Sequence, residues 1–278
     1  MNKYLIVNAD DFGLTDGTNK AIIDCFNNGI VRSASIMPTG KAFDGAILLA
    51  KQHPQLSVGV HLTLVGEKPV LLSRKVPTLV NMEGNFHNSQ KEFIYKYLIR
   101  KVSIKEVKDE LEAQIAKVSE AGVKLTHLDS HQHLHILPGI IDIVIGLAVK
   151  YRIKNIRVPL EWSNASIKPK NFFLNVLSLQ ARKKILKAGL GCADHFWGLQ
   201  KSGRINEAAL FNFIANCRPG TTEMMCHPAY IDDVYREEYI PYYKETGFIH
   251  KPEDEVAALT SKKIIAMLKE NGVGLIGF

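Results

Sequence analysis

The chain has 278 residues, of which 46% are hydrophobic and 23% charged, and its formal net charge is +7 at pH 7. This length suits one large domain or two small ones, and the apolar share is large enough for a substantial core, which excludes a disordered chain. The basic excess is spread over helix-like segments such as 183–184 and 262–263, so it predicts no nucleic-acid partner.

Short strand-like runs alternate with longer helical patterns from one end of the chain to the other. This alternation predicts parallel strands joined by helical crossovers. The predicted strands cover 3–9, 33–37, 57–64, 124–128, 155–158, 195–197, 222–226 and 273–276. The predicted helices cover 21–26, 42–51, 103–121, a segment from Pro138, 172–188, 206–217 and 254–270. The clearest helix begins at Ser103, which forms a capping box with Glu106 before apolar residues spaced by three and four.

Seven or eight such repeats without a change in composition predict one α/β domain over residues 1–278. We expect a distorted TIM-like β/α barrel of seven or eight parallel strands. A doubly wound sheet is the alternative, but no glycine-rich phosphate loop follows the first strand. The irregular stretches 65–88 and 228–252 are predicted to be loops over an active site.

The sequence also indicates a compartment. The opening apolar run at 5–7 is too short for a signal peptide, and no segment approaches the roughly 18 apolar residues of a transmembrane helix. The four cysteines lack CxxC spacing and are expected to be free thiols. We therefore expect a cytoplasmic protein with no membrane partner, and a homodimer is the default expectation for its assembly.

Acidic residues and histidines stand where four predicted strands end, which is where barrel enzymes carry their catalytic groups. Asp10 and Asp11 end the first strand, His61 lies in the third, and His227 ends the seventh. Each has an ordinary structural interpretation when taken alone. An aspartate caps a helix or turn, a strand histidine is hydrogen-bonded in the core, and a histidine before proline organises a turn.

The segment from His127 to His135 is harder to explain structurally. Its ionisable residues, His127, Asp129, His131, His133 and His135, occupy every second position, so an extended backbone would direct all of them to one side. Burying them without a use would be costly, and a divalent metal ion is the expected user. Since they cannot all bind one ion, we expect one or two ligands with supporting neighbours.

Two histidines and one carboxylate with an open position are typical of a catalytic metal that activates water. We predict that Asp11, His61 and a histidine after Asp129 supply this site. Asp10 is then free to act as general base, and His227 as general acid.

Four segments resemble the YdjC-like family of carbohydrate deacetylases, which includes chitooligosaccharide deacetylases. They are VNADDFG at 7–13, GVHL at 59–62, THLDSHQHLH at 126–135 and MCHPA at 225–229. Their order and spacing fit the family over nearly the whole chain. The resemblance implies a β/α-barrel-like fold, one divalent ion that is usually magnesium, and hydrolysis of an acetamido group on a sugar.

Individual site residues also follow from the resemblance. It points to His61 and His131 as metal ligands, with Asp11 completing the set. By analogy with polysaccharide deacetylases, which also open with paired aspartates, Asp10 would be the base. Arg157 matches the family's arginine position and is expected to orient a carboxylate or the substrate.

Supporting residues are expected around these groups. Asp129 would orient a neighbouring imidazole, and His127 is expected to line the substrate or to support the ligands. No motif matches 65–88 or 159–205, where sugar specificity is expected to be set.

The predicted function is therefore a metal-dependent hydrolase that releases acetate from an N-acetylated sugar or short oligosaccharide, with a small carbohydrate as its partner. Imidazole ligands suit zinc better than magnesium, so ligand chemistry alone leaves the metal open. The same cluster would also serve a hydrolase of another amide, ester or phosphate. A non-catalytic, metal-dependent sugar-binding protein is the third alternative.

Overall fold

The computed structural model describes residues 2–161 and 169–278. Within them, all paired strands of one sheet run parallel. The strands are β1 (Lys3–Phe12), β2 (Ser33–Ile36), β3 (Ser57–Leu62), β4 (Leu125–Ser130), β5 (Asn155–Ile156), β6 (His195–Trp197), β7 (Gly220–Cys226) and β8 (Val273–Leu275). Their spatial order is β5-β4-β3-β2-β1-β7-β6, and β8 pairs with β1.

Helices connect these strands as the alternation predicted. They are α1 (Asp16–Asn28), α2 (Phe43–Gln52), α3 (Gln90–Leu98), α4 (Ile104–Glu120), α5 (Ile140–Lys150), α6 (Pro169–Lys187), α7 (Glu207–Ala215), α8 (Ile240–Thr246), α9 (Pro252–Leu259) and α10 (Lys262–Glu270). Short 3-10 turns cover 73–75 and 131–136, and a π-helical turn covers 235–239.

The sheet curls so that its two ends approach each other. A single parallel bridge joins Asn155 of β5 to Gly191, just before β6, and the Ile156 amide donates to the Gly191 carbonyl at 3.0 Å. This weak closure makes the sheet a distorted, barrel-like ring. The predicted TIM-like α/β fold is confirmed.

Strand β1 has more strand neighbours than any other strand of the sheet. It pairs with β7 along residues 3–9, while β8 pairs with its first half and β2 with its second half. Its buried run from Leu5 to Phe12 therefore contacts three strands from distant parts of the chain.

Several element boundaries differ from the predicted ones. The strand predicted at 155–158 has only two residues. The helix predicted at 254–270 is divided into two helices, because the Ser261 side chain accepts a hydrogen bond from the Ile264 amide and thereby starts α10. Helix α3 was not predicted. Parts of the loop predicted at 228–252 are helical.

The Ser103 cap forms, but Glu106 does not complete the predicted capping box. The Ser103 hydroxyl accepts from the Glu106 amide at 3.4 Å. The Glu106 carboxylate instead accepts from the amide and hydroxyl of Thr78, both at 2.8 Å. Helix α4 thereby anchors the irregular stretch 65–88 beside the barrel.

All four cysteines lie in the described parts of the chain and are free thiols. No helix among the described residues combines the length and apolar character needed to cross a bilayer.

Gly59 in β3 allows the imidazole of His127 to pack inside the ring. A Cβ at Gly59 would lie 2.5–2.6 Å from three His127 ring atoms. We expect Gly59→Ala to lower the free energy of unfolding by about 1–3 kcal/mol, because the buried ring has no space to move. Gly146→Ala in α5, where a Cβ meets nothing within 4 Å, is the control, and it should stabilise the helix by up to about 1 kcal/mol. Equal urea midpoints for Gly59→Ala and the wild type would contradict this account.

Candidate active site

Eight ionisable side chains gather at the carboxyl ends of the strands, the end that carries the active site in barrel enzymes. They come from β1, β3, β4, β7 and the residues that follow β4, β5 and β7. The set is Asp10, Asp11, His61, Asp129, His131, Arg157, Glu223 and His227. The structure thus brings together seven of the eight predicted site residues; the eighth, His127, lies beneath them.

A backbone irregularity in β1 lets two consecutive aspartates reach one site. Successive side chains of a regular strand point to opposite faces. The pairing of β1 with β2 shifts register between Ala9 and Phe12, and Asp11 has a left-handed φ of 63°. Asp10 consequently bonds Arg157, while an Asp11 oxygen lies 3.5 Å from His61 Nε2.

Arg157 is fully buried and binds three carboxylates. Its Nη1 and Nη2 donate to the two oxygens of Asp10 at 2.6 and 2.7 Å, in the bidentate geometry that fixes a carboxylate most firmly. Nη2 also lies 2.8 Å from Asp129 Oδ2, and Nε donates to Glu223 Oε1 at 2.5 Å. Burial alone would raise the pKa of Asp10, but Arg157 holds it well below its usual range.

The predicted metal ligands lie around a shared space. Asp11 Oδ1 is 3.5 Å from His61 Nε2 and 3.4 Å from His131 Nδ1, and this buried oxygen has no hydrogen-bond partner. His61 Nδ1 lies 2.8 Å from Asp129 Oδ1, which fixes the ring and directs Nε2 towards Asp11. Burial opposes a charge on His61, yet Asp129 and the other carboxylates raise its pKa to about 9. The site therefore favours a cation.

The donor set fits a divalent ion. Ligand atoms of Asp11, His61 and His131 lie within 4.8 Å of one another, and Asp11 supplies a buried oxygen without a partner. The set Asp10, His61 and Asp129 is equally close, but both of its carboxylates already bind Arg157. Two imidazoles and one carboxylate leave room for water and substrate in the coordination sphere.

The prediction that alternate residues from His127 to His135 share one face is wrong beyond Asp129. Strand β4 ends at Ser130, and Gln132 and His133 adopt left-handed φ values of 55° and 57°. The turn separates the later histidines: His131 faces Asp11, while the buried His133 packs edge-on against Phe196.

His135 has a structural position behind the site. The Ser130 hydroxyl accepts from the His135 amide and donates to its Nδ1, while Nε2 donates to the Arg157 carbonyl at 2.9 Å. The neutral ring thus holds the backbone of the arginine that binds Asp10.

His127 lies beneath the site rather than in it. Its Nε2 is 3.0 Å from the hydroxyl of Ser35, which donates to Asp129 Oδ2 at 2.8 Å and accepts from Asn8 at 2.9 Å. The ring of Phe278 stacks on the imidazole with centroids 4.0 Å apart. His127 therefore reaches the cluster through Ser35 and makes no direct contact with the candidate metal ligands.

His227, which follows β7, also lies beside Asp10. Its Nε2 lies 3.8 Å from Asp10 Oδ2. Its backbone is fixed on both sides, because the amide donates to Glu255 at 2.7 Å and the carbonyl accepts from His250 at 2.9 Å. Burial lowers the pKa of His227 despite the nearby Asp10 and Asp11.

Several residues of the site were missed at the sequence level. Glu223 is the only charged residue of β7 and is followed by the apolar residues Met224, Met225 and Cys226, a pattern that could have indicated it. Ser35 and Asn8 carry no comparable signal, because small polar residues in strands are common. Glu255 and His250 belong to a helix and a loop that no motif connects with His227.

A cavity of about 200 Å³ opens beside His131. Residues from the predicted loops form much of its wall, including Glu67 and Tyr239. The cluster thus has an adjoining space of the kind that receives a small molecule.

A curled parallel sheet with carboxylates and imidazoles at the carboxyl ends of its strands defines a β/α-barrel enzyme. The model of the family described as YdjC-like protein matches residues 4–270. The chain belongs to the YdjC-like family.

Relatives and solved structures agree with this assignment. Over 276 to 278 residues, the chain is 38% identical to a carbohydrate deacetylase of Brevibacillus brevis and 33% identical to one of Thermoanaerobacter pseudethanolicus, covering 99% of this chain and 98% of each relative. A crystal structure of a candidate cellobiose-phosphate cleavage protein from Enterococcus faecalis is 29% identical, with a TM-score of 0.79 over 100% of this chain and 98% of that one. A lactam utilization protein of Thermus thermophilus, 16% identical with a TM-score of 0.52 over the full length of both chains, shares the fold.

The buried His135 gives a prediction about acid stability. Burial lowers its pKa from 6.5 to about 4 even though the Arg157 carbonyl opposes the shift. Between these pH values His135 binds a proton in the unfolded chain but stays neutral in the folded one. The free energy of unfolding therefore decreases as the pH falls from 6.5 towards 4. This histidine should contribute up to about 3 kcal/mol of that loss. In His135→Gln, the free energy of unfolding measured with urea should decline less steeply with falling pH than in the wild type. The difference between the two proteins at pH 7.5, where His135 is neutral in both states, gives the cost of the lost hydrogen bonds. Parallel pH profiles for variant and wild type would refute it.

Proposed function

We propose that this protein is a metal-dependent carbohydrate N-deacetylase, which hydrolyses the C–N bond of an acetamido group on a sugar and releases acetate. One observation carries the proposal. An arginine-held carboxylate, Asp10, lies close both to His61, one of the candidate ion ligands, and to the imidazole of His227. The relatives named carbohydrate deacetylases, which match this chain from end to end, support the same reaction.

One divalent ion is held by Asp11, His61 and His131 in this proposal. When bound, it supplies Lewis acidity, lowering the pKa of a water molecule and stabilising the oxyanion that forms on the amide carbonyl. Its identity is open between magnesium, which the family resemblance implies, and zinc, which two imidazole ligands favour.

Asp10 acts as the general base through Oδ2. A carboxylate has about four lone-pair positions. Oδ1 accepts from Asn8 at 2.8 Å and from Arg157, while Oδ2 accepts one Arg157 bond and faces His227. Arg157 keeps Asp10 ionised, so the base is ready at neutral pH.

His227 acts as the general acid. Arg157 holds the pKa of Asp10 well below its usual range, so Asp10 does not retain the proton that it takes from water, and the His227 imidazole faces its Oδ2. The 3.8 Å between Asp10 Oδ2 and His227 Nε2 is short enough for transfer as the groups close on substrate. His227 then protonates the departing nitrogen, which leaves as a free amino sugar.

The remaining features of the proposal concern the whole protein. Residues 1–278 form one catalytic domain, supported by a sheet that joins β1 to β8. A cytoplasmic location is supported by four free thiols, which suit a reducing compartment. A homodimer is proposed as the default assembly, with a small carbohydrate as the partner molecule.

The reaction is tested by mass spectrometry of acetylated mono- and disaccharides incubated with metal-replete protein. Hydrolysis of the amide removes roughly 42 mass units from the sugar. The same screen includes phosphorylated sugars, from which release of phosphate without acetate would favour a different hydrolase. Sugar binding without turnover would favour a binding protein.

Substitutions of Asp10 and His61 should separate an effect on catalysis from an effect on metal binding. Asp10→Asn keeps the three ion ligands and should retain bound metal, while turnover falls by about 10²–10⁴ because the base is lost. His61→Ala should lose both metal and turnover. Elemental analysis of protein purified without added ions measures the metal content and names the metal. Normal acetate release by Asp10→Asn would remove Asp10 from the role of base.

The His227 assignment has its own test. His227→Gln removes the proton donor and should lower kcat on an acetamido sugar by about 10²-fold or more. An activated aryl ester of acetate, whose leaving group needs no protonation, should suffer much less. A variant that hydrolyses the amide at the wild-type rate would exclude His227 as the general acid.

A further inference from the structure

The imidazole of His227 has no hydrogen bond from its second ring nitrogen to orient it. Its Nε2 lies 3.8 Å from Asp10, while its Nδ1 is buried and makes no hydrogen bond within the described part of the chain. A histidine that transfers protons is commonly oriented by a bond from its other ring nitrogen to a carboxylate or a carbonyl. Here the position of the ring must follow from the main chain of His227 and from the side chains that pack against it.

Two side chains from a later segment hold the main chain of His227. The His227 amide donates to Glu255 Oε2 at 2.7 Å, and Glu255 Oε1 accepts from the Ile205 amide at 3.2 Å. The His227 carbonyl accepts from His250 Nε2 at 2.9 Å. The His250 ring also packs edge-on against the His227 ring, with centroids 5.9 Å apart. His250 therefore contacts both the carbonyl group and the imidazole of the proposed general acid.

His250 is held in the one tautomer that can make this bond. A carbonyl oxygen only accepts, so the ring proton of His250 lies on Nε2. Burial lowers the pKa of His250 to about 4, which keeps the ring neutral at neutral pH and leaves Nδ1 as an acceptor. The Tyr235 hydroxyl donates to this Nδ1. Tyr235 thus selects the tautomer of His250 that donates to His227.

We propose that His250 is a positioning residue, which holds the His227 imidazole at Asp10 through its bond to the His227 carbonyl. Glu255 completes the arrangement by holding the His227 amide. The inference rests on the proposed deacetylase function and deepens it, because it names the residues that keep the proton donor in place. A shift of about 1 Å in a catalytic group can cost on the order of 10²-fold in rate, so loss of the His250 bond should impair proton donation more than substrate binding.

The test compares two substitutions of His250 that place a donor at different distances from the main chain. In His250→Gln the side-chain amide nitrogen can lie near the position of Nε2, whereas the shorter side chain of His250→Asn reaches only near the position of Nδ1. On the β-1,4-linked dimer of N-acetylglucosamine, His250→Asn should lower kcat by about 10- to 100-fold with KM within about twofold of the wild type. His250→Gln should recover most of this loss. On an activated aryl ester of acetate, whose leaving group needs no protonation, both variants should keep kcat within about threefold of the wild type.

Tyr235→Phe weakens the same bond without changing His250. Without the hydroxyl at Nδ1, the ring proton of His250 can move to that nitrogen and the bond to the His227 carbonyl is lost in part of the molecules. We expect kcat on the sugar to fall by about three- to tenfold, with the ester again little affected.

His53→Asn is the matched control. The His53 ring also bonds a backbone carbonyl, that of Leu49 at 2.9 Å, but it lies before β3 at the amino ends of the strands. Its ratio of sugar to ester turnover should equal that of the wild type. Thermal unfolding and metal analysis of each variant verify that the fold and the ion site are intact.

Three results would overturn the inference: wild-type kcat on the sugar in His250→Asn, equal losses on sugar and ester in that variant, or no recovery in His250→Gln. Absence of acetate release by the wild type would instead contradict the proposed function. In that case ¹⁵N NMR of histidine-labelled protein still tests His250, because it requires no turnover. The ring signals of His227 should shift in His250→Asn and stay unchanged in His53→Asn, and unchanged His227 signals in both would contradict the positioning role.

Discussion

The buried guanidinium of Arg157 is the interaction on which the rest of the site depends. It joins carboxylates from β1, β4 and β7, so three parts of the ring are held at fixed spacing by one side chain. Breaking such a buried pair typically costs 3–5 kcal/mol, because the partners remain buried without compensation. Asp129, oriented by this arginine, in turn orients His61. The candidate ion ligands therefore depend on a residue that does not itself contact the ion site.

The irregularity in β1 separates two functions between neighbouring residues. A left-handed φ at a non-glycine residue costs about 1–3 kcal/mol and persists where the surroundings impose it. Here it directs Asp10 to Arg157 and Asp11 to the imidazoles. A regular strand would present only one of these carboxylates to the site.

The sequence predicted much of this arrangement because the strand ends of a barrel are marked by polar residues after apolar runs. Asp10, Asp11, His61 and His227 were found in this way, and the resemblance added His131 and Arg157. The turn at Gln132 was not predictable, because local pattern does not reveal a left-handed backbone at a residue other than glycine. Ser35 and Glu255 were missed for a different reason. Their roles arise from tertiary neighbours, which periodicity and spacing do not encode.

The central place of β1 has a consequence for how the molecule is made. Strand β1 is synthesised before two of its three neighbours, β7 and β8, which are more than two hundred residues away in the chain. Such long-range pairing slows folding. Until β7 and β8 have been synthesised, the apolar residues of β1 lack these neighbours and are exposed to aggregation. The aspartates at the end of β1 therefore reach their final surroundings only after β7 and β8 have been synthesised and have paired with that strand.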